Sequence, residues 1–275
     1  MNLLQAGSLG IIQGLTEFLP VSSSGHLVLL QHLFGLKEPE LLFDISLHVG
    51  TLLAVCLIFR RAIHSILRSL LTLPALVRHS GGWPQLYRKN DDIRLAGLIV
   101  IGSIPTACLG LLFKEVAESI FGAIWIVGIM LLVTGSLLWL TRFKTKKGRH
   151  ILEMGITDAL LIGLIQGMAI MPGISRSGAT ISLALFLGID RELAGRFSFL
   201  LSIPAILGAL LLGLGSPDMK TSIPVGTVLT GVLVSGIVGY AALIVLLKMV
   251  KNGKLYHFSP YCVLVGVGAL IWSLA

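Results

Sequence analysis

The chain has 275 residues, of which 55% are apolar and 12% charged, with a mean hydropathy of +0.94. Soluble domains carry about 25% charged residues, so this composition excludes a water-soluble globule, a disordered chain and a disulfide-stapled secreted fold. The net charge of +8 points to basic loops on one side of a membrane. It does not point to nucleic acid, because no aromatic-interleaved basic stripe accompanies it.

The N-terminus has no basic region, and Glu17 and Pro20 follow soon after, so it does not read as a cleaved signal peptide. A first apolar region, 3–35, is broken by Pro20-Val21-Ser22-Ser23-Ser24-Gly25. Crossings are then predicted at 43–59, 95–113 and 122–141, each close to the ~20 residues that span a bilayer, with a basic loop at 60–94. A second broken region, 155–188, carries Pro172-Gly173-Ile174-Ser175-Arg176-Ser177-Gly178. Crossings at 197–214, 223–247 and 256–274 complete the chain. Cys56, Cys108 and Cys262 sit in apolar runs without metal-ligand spacing and read as small buried hydrophobes.

The two broken regions are copies. Gly10, Gln13 and Gly14 recur as Gly163, Gln166 and Gly167; at the same offset Ser22, Ser24, Gly25 and Gly35 fall on Ser175, Ser177, Gly178 and Gly188. A duplication accounts for a run of this kind in one register. The expected fold is an all-α polytopic membrane protein made of one domain, 1–275. Its repeats are 1–141 and 151–275, each a re-entrant helical hairpin plus three crossings. Three is odd, so the repeats are inverted and the hairpins meet near the midplane.

Loop charge agrees with that arrangement. Loops 60–94, 142–150, 188–196 and 248–254 hold 17 of the 21 Lys and Arg residues, whereas the opposite loops hold Lys37, Lys114 and Lys220. The basic side is therefore read as cytoplasmic, with both termini and the first hairpin facing outward. The remaining cation, Arg176, lies inside the second break.

An arginine at bilayer depth costs on the order of 3 kcal/mol and needs a partner. Arg176, Ser175, Ser177 and Thr180, with glycines beside them, describe an anion site suited to phosphate. A structural ion pair with Glu17 is the plainer reading, and the two can coexist. In the first hairpin Gln13 and Glu17 share a helical face, and Ser22, Ser23, Ser24 and His26 follow. If the breaks meet, Glu17, Ser23, His26 and Arg176 converge as parts of an activated nucleophile. His48 reads as an interhelical histidine rather than a cavity residue. Asp91 and Asp92 read as loop solvation, and Glu153 and Asp158 as acids at a helix start.

Gln13-Gly14-Leu15-Thr16-Glu17 and the following Ser22-Ser23-Ser24-Gly25-His26 resemble the (E/Q)xxxE segment and serine/histidine stretch of the bacterial undecaprenyl-diphosphate phosphatases, the bacitracin-resistance family. Pro172-Gly173-Ile174-Ser175-Arg176-Ser177-Gly178-Ala179-Thr180 resembles that family's PGxSRSxxT motif, and Phe197–Pro204 the segment after it. The likeness covers essentially the whole chain. It implies an inner-membrane hydrolase that converts undecaprenyl diphosphate to undecaprenyl phosphate on the outer face, recycling the lipid carrier of cell-wall synthesis and conferring bacitracin resistance. It further implies catalytic Glu17, Ser23, His26 and Arg176, with phosphate bound by Ser22, Ser24, Ser175, Arg176, Ser177 and Thr180. A divalent cation, Mg2+ or Ca2+, is implied at Glu17 and Gln13. Here the chain carries glutamine where many members carry glutamate.

The implied partners are the polyprenyl diphosphate and membrane lipid, with bacitracin competing for the substrate, no nucleic acid, and a homodimer compatible with it. Three nucleophiles stay open at this point: Ser23 with His26 as base, His26 itself, or a metal-activated water. The alternative function is a polyprenyl-phosphate flippase or anion transporter using the same cavity.

Overall fold

The structure, a computed structural model, describes every residue except 34–40, 80–81, 122, 145–147, 215–222 and 275. The first broken region folds as α1 (Leu3–Phe18) and α2 (Ser23–Leu33), and the second as α9 (Ile156–Met168) and α10 (Arg176–Phe186). Between them lie α3 (Leu41–Ile58), α4 (Arg60–Leu71), α5 (Leu73–His79), α6 (Trp83–Lys89), α7 (Asp91–Phe121) and α8 (Ile124–Leu140). After them come α11 (Arg191–Leu214), α12 (Val225–Lys251) and α13 (Ser259–Leu274).

Among the described residues five helices are long and apolar enough to cross a membrane: α7, α8, α11, α12 and α13. The pair α3–α4 makes a sixth if counted together, bent by 76°. Unlike a soluble protein, the molecule surrounds an apolar core with an apolar surface and buries polar groups as well. Leu57, Val100, Leu233, Ile237 and Leu264 are exposed, while Gln13, Glu17, Ser175, Ser177, Thr180, Ser198 and Ser202 are buried. Such a surface belongs in lipid, and this is a multi-pass membrane protein.

Packing is reciprocal between the two halves. α1 and α3 lie on α12, α9 and α11 lie on α7, and α8 lies on α13. The duplicated glycines explain the close approach, since apolar contact with lipid leaves van der Waals packing to hold helices together. A Cβ on Gly14 would sit 2.8 Å from Ser235 O of α12, and one on Gly163 only 1.8 Å from Gly102 O of α7.

Three expectations need correction. The stretch 60–94 is mostly helical: α4 turns away from α3, buries none of its residues fully, and sets Arg60, Arg61, His64 and Arg68 on one side. An amphipathic surface helix has too many charges to read as a crossing, so it passes for a loop. Asp91 and Asp92 open α7, where acids offset the helix dipole, and Asp92 accepts a hydrogen bond from Ser65 Oγ. Cys262 is buried and Cys56 half-buried, but Cys108 is exposed on α7.

Helices also begin earlier or end later than hydropathy alone predicts. α11 starts at Arg191 and α12 ends at Lys251, so the basic loops 188–196 and 248–254 are partly helix ends. Lys37, Lys220 and the side chain of Lys114 lie outside the described residues. Asp158 does cap its helix, accepting from Gly155 N at 2.7 Å, and is gripped bidentately by Arg149.

Candidate active site

The two helix breaks touch. Ser22 holds a left-handed backbone (φ 70°), and Gly173 in the other break does the same (φ 99°). A Cβ on Gly173 would lie 2.5 Å from Val127 O, so only glycine fits there. Ser22 Oγ accepts from Gly25 N at 3.3 Å and from Gly173 N at 3.0 Å, fastening one break to the other. In the second hairpin Ser175 does the matching local job: its side chain caps α10 by accepting from Gly178 N at 3.1 Å.

Glu17, on the last turn of α1, is the hub. Its Oε2 accepts from Ser23 Oγ at 2.7 Å and from Gln13 Nε2 at 3.0 Å, and its Oε1 is paired with Arg176 Nη2. His48 Nε2 of α3 stands 3.5 Å from the same Oε2, with its Nδ1 on Asp44 O. Arg176 keeps Nη1 buried without a partner. A guanidinium anchored by one arm, with the other unpaired, is prepared for a phosphate oxygen.

These groups lie in the wall of a cavity of about 700 Å³. Glu17, Ser23, Ser24, His48, Ser175 and Arg176 mark one polar stretch of its lining. Leu111 of α7 and Ile206, Leu211 and Leu212 of α11 belong to its apolar part. A lining with both polar and apolar stretches suits a lipid with a charged head.

Not every expected residue arrives there. Ser22, Ser177 and Thr180 are not among the lining groups, and their hydroxyls are committed elsewhere. Ser177 donates to Phe18 O at 2.9 Å and Thr180 to Arg176 O at 2.7 Å. They build the breaks rather than face a phosphate. Nor does His26 hydrogen-bond to Ser23. Its Nδ1 meets Ser22 O at 2.8 Å, its Nε2 meets Tyr261 Oη at 2.8 Å, and its ring stacks on Tyr261 of α13. The hydrogen-bond partner of Ser23 Oγ is the Glu17 carboxylate, not His26.

Gln13 turns its amide nitrogen to Glu17 and leaves Oε1 buried and unpaired, so the amide and carboxylate oxygens do not converge on a common point. Among the described residues no group of three His, Cys, Asp or Glu side chains could hold a metal. Glu17 is already engaged by an arginine, an amide and a hydroxyl. The residues do not fit a protein-built cage for Mg2+ or Ca2+.

His48 is the functional neighbour that sequence reasoning placed elsewhere. It sits 31 residues from Glu17 in the chain, and only the packing of α3 beside α1 brings it into the cavity. Gln166 and Thr106 also line the cavity. The one available signal was that Gln166 repeats Gln13.

The fold and the site together define an integral membrane protein with a hydroxyl- and arginine-bearing cavity where two helix breaks meet. The family model "Bacitracin resistance protein BacA" matches residues 6–268, and the chain belongs to that family. It is 50% identical over 272 residues to the undecaprenyl-diphosphatase of Desulforapulum autotrophicum, covering 98% of each chain. To the undecaprenyl-diphosphatase of Desulfosudis oleivorans it is 51% identical over 276 residues, covering 99% of this chain and 98% of that one.

Proposed function

We propose that this protein hydrolyses undecaprenyl diphosphate to undecaprenyl phosphate and inorganic phosphate. The observation that carries the reading is the half-satisfied Arg176, with a serine already hydrogen-bonded to its buried carboxylate partner, in a cavity whose lining is also apolar in part. The family's bacitracin-resistance role follows from the same chemistry: bacitracin and the enzyme compete for one lipid diphosphate.

Arg176, Ser175 and Ser24 hold the terminal phosphate, and the arginine stabilises charge on its equatorial oxygens. Ser23 Oγ attacks phosphorus and gives its proton to Glu17. The anhydride P–O bond breaks, its electron pair leaves with the lipid phosphate, and the proton follows from Glu17 to that leaving group. Water then cleaves the phosphoserine. His48 holds Glu17 from the side away from Arg176, and His26, latched to Tyr261, braces the turn at Ser22. Every polar group in this scheme comes from one chain, so the reading does not draw on a homodimer. Mg2+ or Ca2+ enters only as the diphosphate's own counter-ion, and no step runs through it.

The reciprocal packing supports an inverted repeat, 1–141 against 151–275, in one membrane domain with two re-entrant hairpins. With the basic ends of α11 and α12 cytoplasmic, the cavity faces outward across the inner membrane. A cysteine at Pro224 should then react with an impermeant thiol reagent in intact cells, and one at Lys254 should not; the reverse pattern would overturn the orientation. The same architecture would serve a flippase, but the Ser23–Glu17 bond has no use in translocation. Detergent-purified protein should release phosphate from undecaprenyl diphosphate, and Arg176→Ala should abolish the release. Binding of the lipid without phosphate release would refute the assignment.

A further inference from the structure

A second polar stretch of the cavity wall is made of Ser103 and Thr106 of α7, Gln166 of α9 and Ser202 of α11. It differs in kind from the Arg176 stretch. Ser103 donates its proton to Ile99 O at 2.7 Å, Thr106 to Gly163 O at 2.8 Å and Ser202 to Phe199 O at 2.7 Å. Gln166 gives its amide protons to Thr106 Oγ1 at 3.2 Å and Leu201 O at 3.3 Å. The amide cannot be flipped, because Leu201 O only accepts and the Thr106 proton is committed. What remains is Gln166 Oε1, which is without a partner on a side chain only 3% exposed.

This wall therefore offers lone pairs and no protons. It repels phosphate oxygens and accepts O–H donors. The lipid tail has none, so the donor at hand in a hydrolysis is water. A water that gives one hydrogen to Gln166 Oε1 keeps the other for the carboxylate across the cavity and turns a lone pair toward the place where a nucleophile is needed; glutamine orients the attacking water of nucleotide hydrolases by the same principle.

We infer that Gln166, with Thr106, is the positioning residue for the hydrolytic water. The inference rests on the function proposed above. The water oxygen bonds to the phosphorus of the phosphorylated Ser23 and the P–Oγ bond breaks with its electron pair returning to Oγ. One water proton passes through Glu17 to Oγ, and hydrogen phosphate leaves.

The test uses the full-length purified protein, undecaprenyl diphosphate labelled in its terminal phosphate, and added methanol as a competing nucleophile. Gln166→Met should lower kcat by about 10–100-fold, the order expected for a misplaced reactant, with KM for the lipid little changed. The ratio of methyl phosphate to phosphate should rise severalfold, because the site no longer favours water. Gln166→Glu keeps an acceptor and should hold the parental ratio. Thr106→Val, nearly isosteric, should shift the ratio the same way by less, and it stands in if Gln166→Met does not fold.

A parental ratio in both Gln166→Met and Thr106→Val would overturn the inference, as would a loss of kcat that only tracks a lowered melting temperature. Weaker inhibition by added inorganic phosphate at an unchanged ratio would assign the O–H donor to the product and equally overturn it. A parent protein that releases no phosphate fails the underlying reading instead.

Discussion

The two hairpins share a scaffold and divide the chemistry. In both, a GxxxG face on the first helix lets backbone approach the partner half, and a serine hydroxyl accepts the amide of a glycine three residues on: Ser22 with Gly25, Ser175 with Gly178. Three of the positions at which the copies differ carry the polar groups of the first hairpin or the arginine of the second. Glu17, Ser23 and His26 of the first hairpin correspond to Ile170, Arg176 and Ala179 of the second. One hairpin carries a hydroxyl hydrogen-bonded to a carboxylate, and the other carries the arginine paired with that carboxylate. The two supports match in their glycines and capping serines, and the charged groups at the non-matching positions 17 and 176 meet as a pair.

The largest effect should come from breaking that complementarity at Arg176. Arg176→Lys keeps the charge but loses the two-pronged geometry, so phosphate release at saturating lipid should fall about 10²–10³-fold, the usual cost of removing a transition-state charge contact. Turnover at the parental level would leave Arg176 a mere counter-ion. From the opposite side, Glu17→Ala leaves the arginine buried and unpaired and takes the base from Ser23. It should lose activity to a similar degree, and it should also lose stability, about 3–5 kcal/mol being typical for one partner of a buried pair. If the double mutant Glu17→Ala/Arg176→Ala recovers turnover, the pair is structural.

The scaffold can be compared directly. Gly163→Ala drives a methyl into Gly102 O, whereas Gly10→Ala meets Gly231 O at 2.9 Å. The first should lower the melting temperature in detergent clearly more than the second, with overpacking costs of about 1–3 kcal/mol. Equal melting temperatures would mean that the two hairpins dock with equal slack. The smallest effect is expected at Gln13. Gln13→Glu sets a second carboxylate against Glu17 where an amide now donates, so activity should drop at low divalent cation and return as Mg2+ is raised. A flat cation titration would show that the new charge is neutralised by a proton.

Much of this was legible beforehand because it depends on residue type and spacing. The duplication, the two breaks and the company of Glu17, Ser23 and Arg176 all follow from the repeat register. Directions of side chains do not. Ser22, Ser177 and Thr180 have the chemistry of phosphate ligands, yet backbone carbonyls and amides claim them. His26 has the chemistry of a base, yet Tyr261, from the far end of the chain, holds both its ring and its Nε2. The elbow between α3 and α4 was illegible for another reason: its periodicity is that of a surface helix, and a hydropathy window averages it into a loop.

The reciprocal packing has a consequence for how the protein is made. α9 docks on α7, which is already in the membrane when α9 leaves the ribosome. α1 docks on α12, which follows it by some 200 residues. At roughly 5–20 residues per second, the first helix waits on the order of 10–40 s without its groove, carrying Gln13 and Glu17. During synthesis the two copies are not equals: α9 meets α7 on arrival, whereas α1 meets α12 only when the chain is nearly complete.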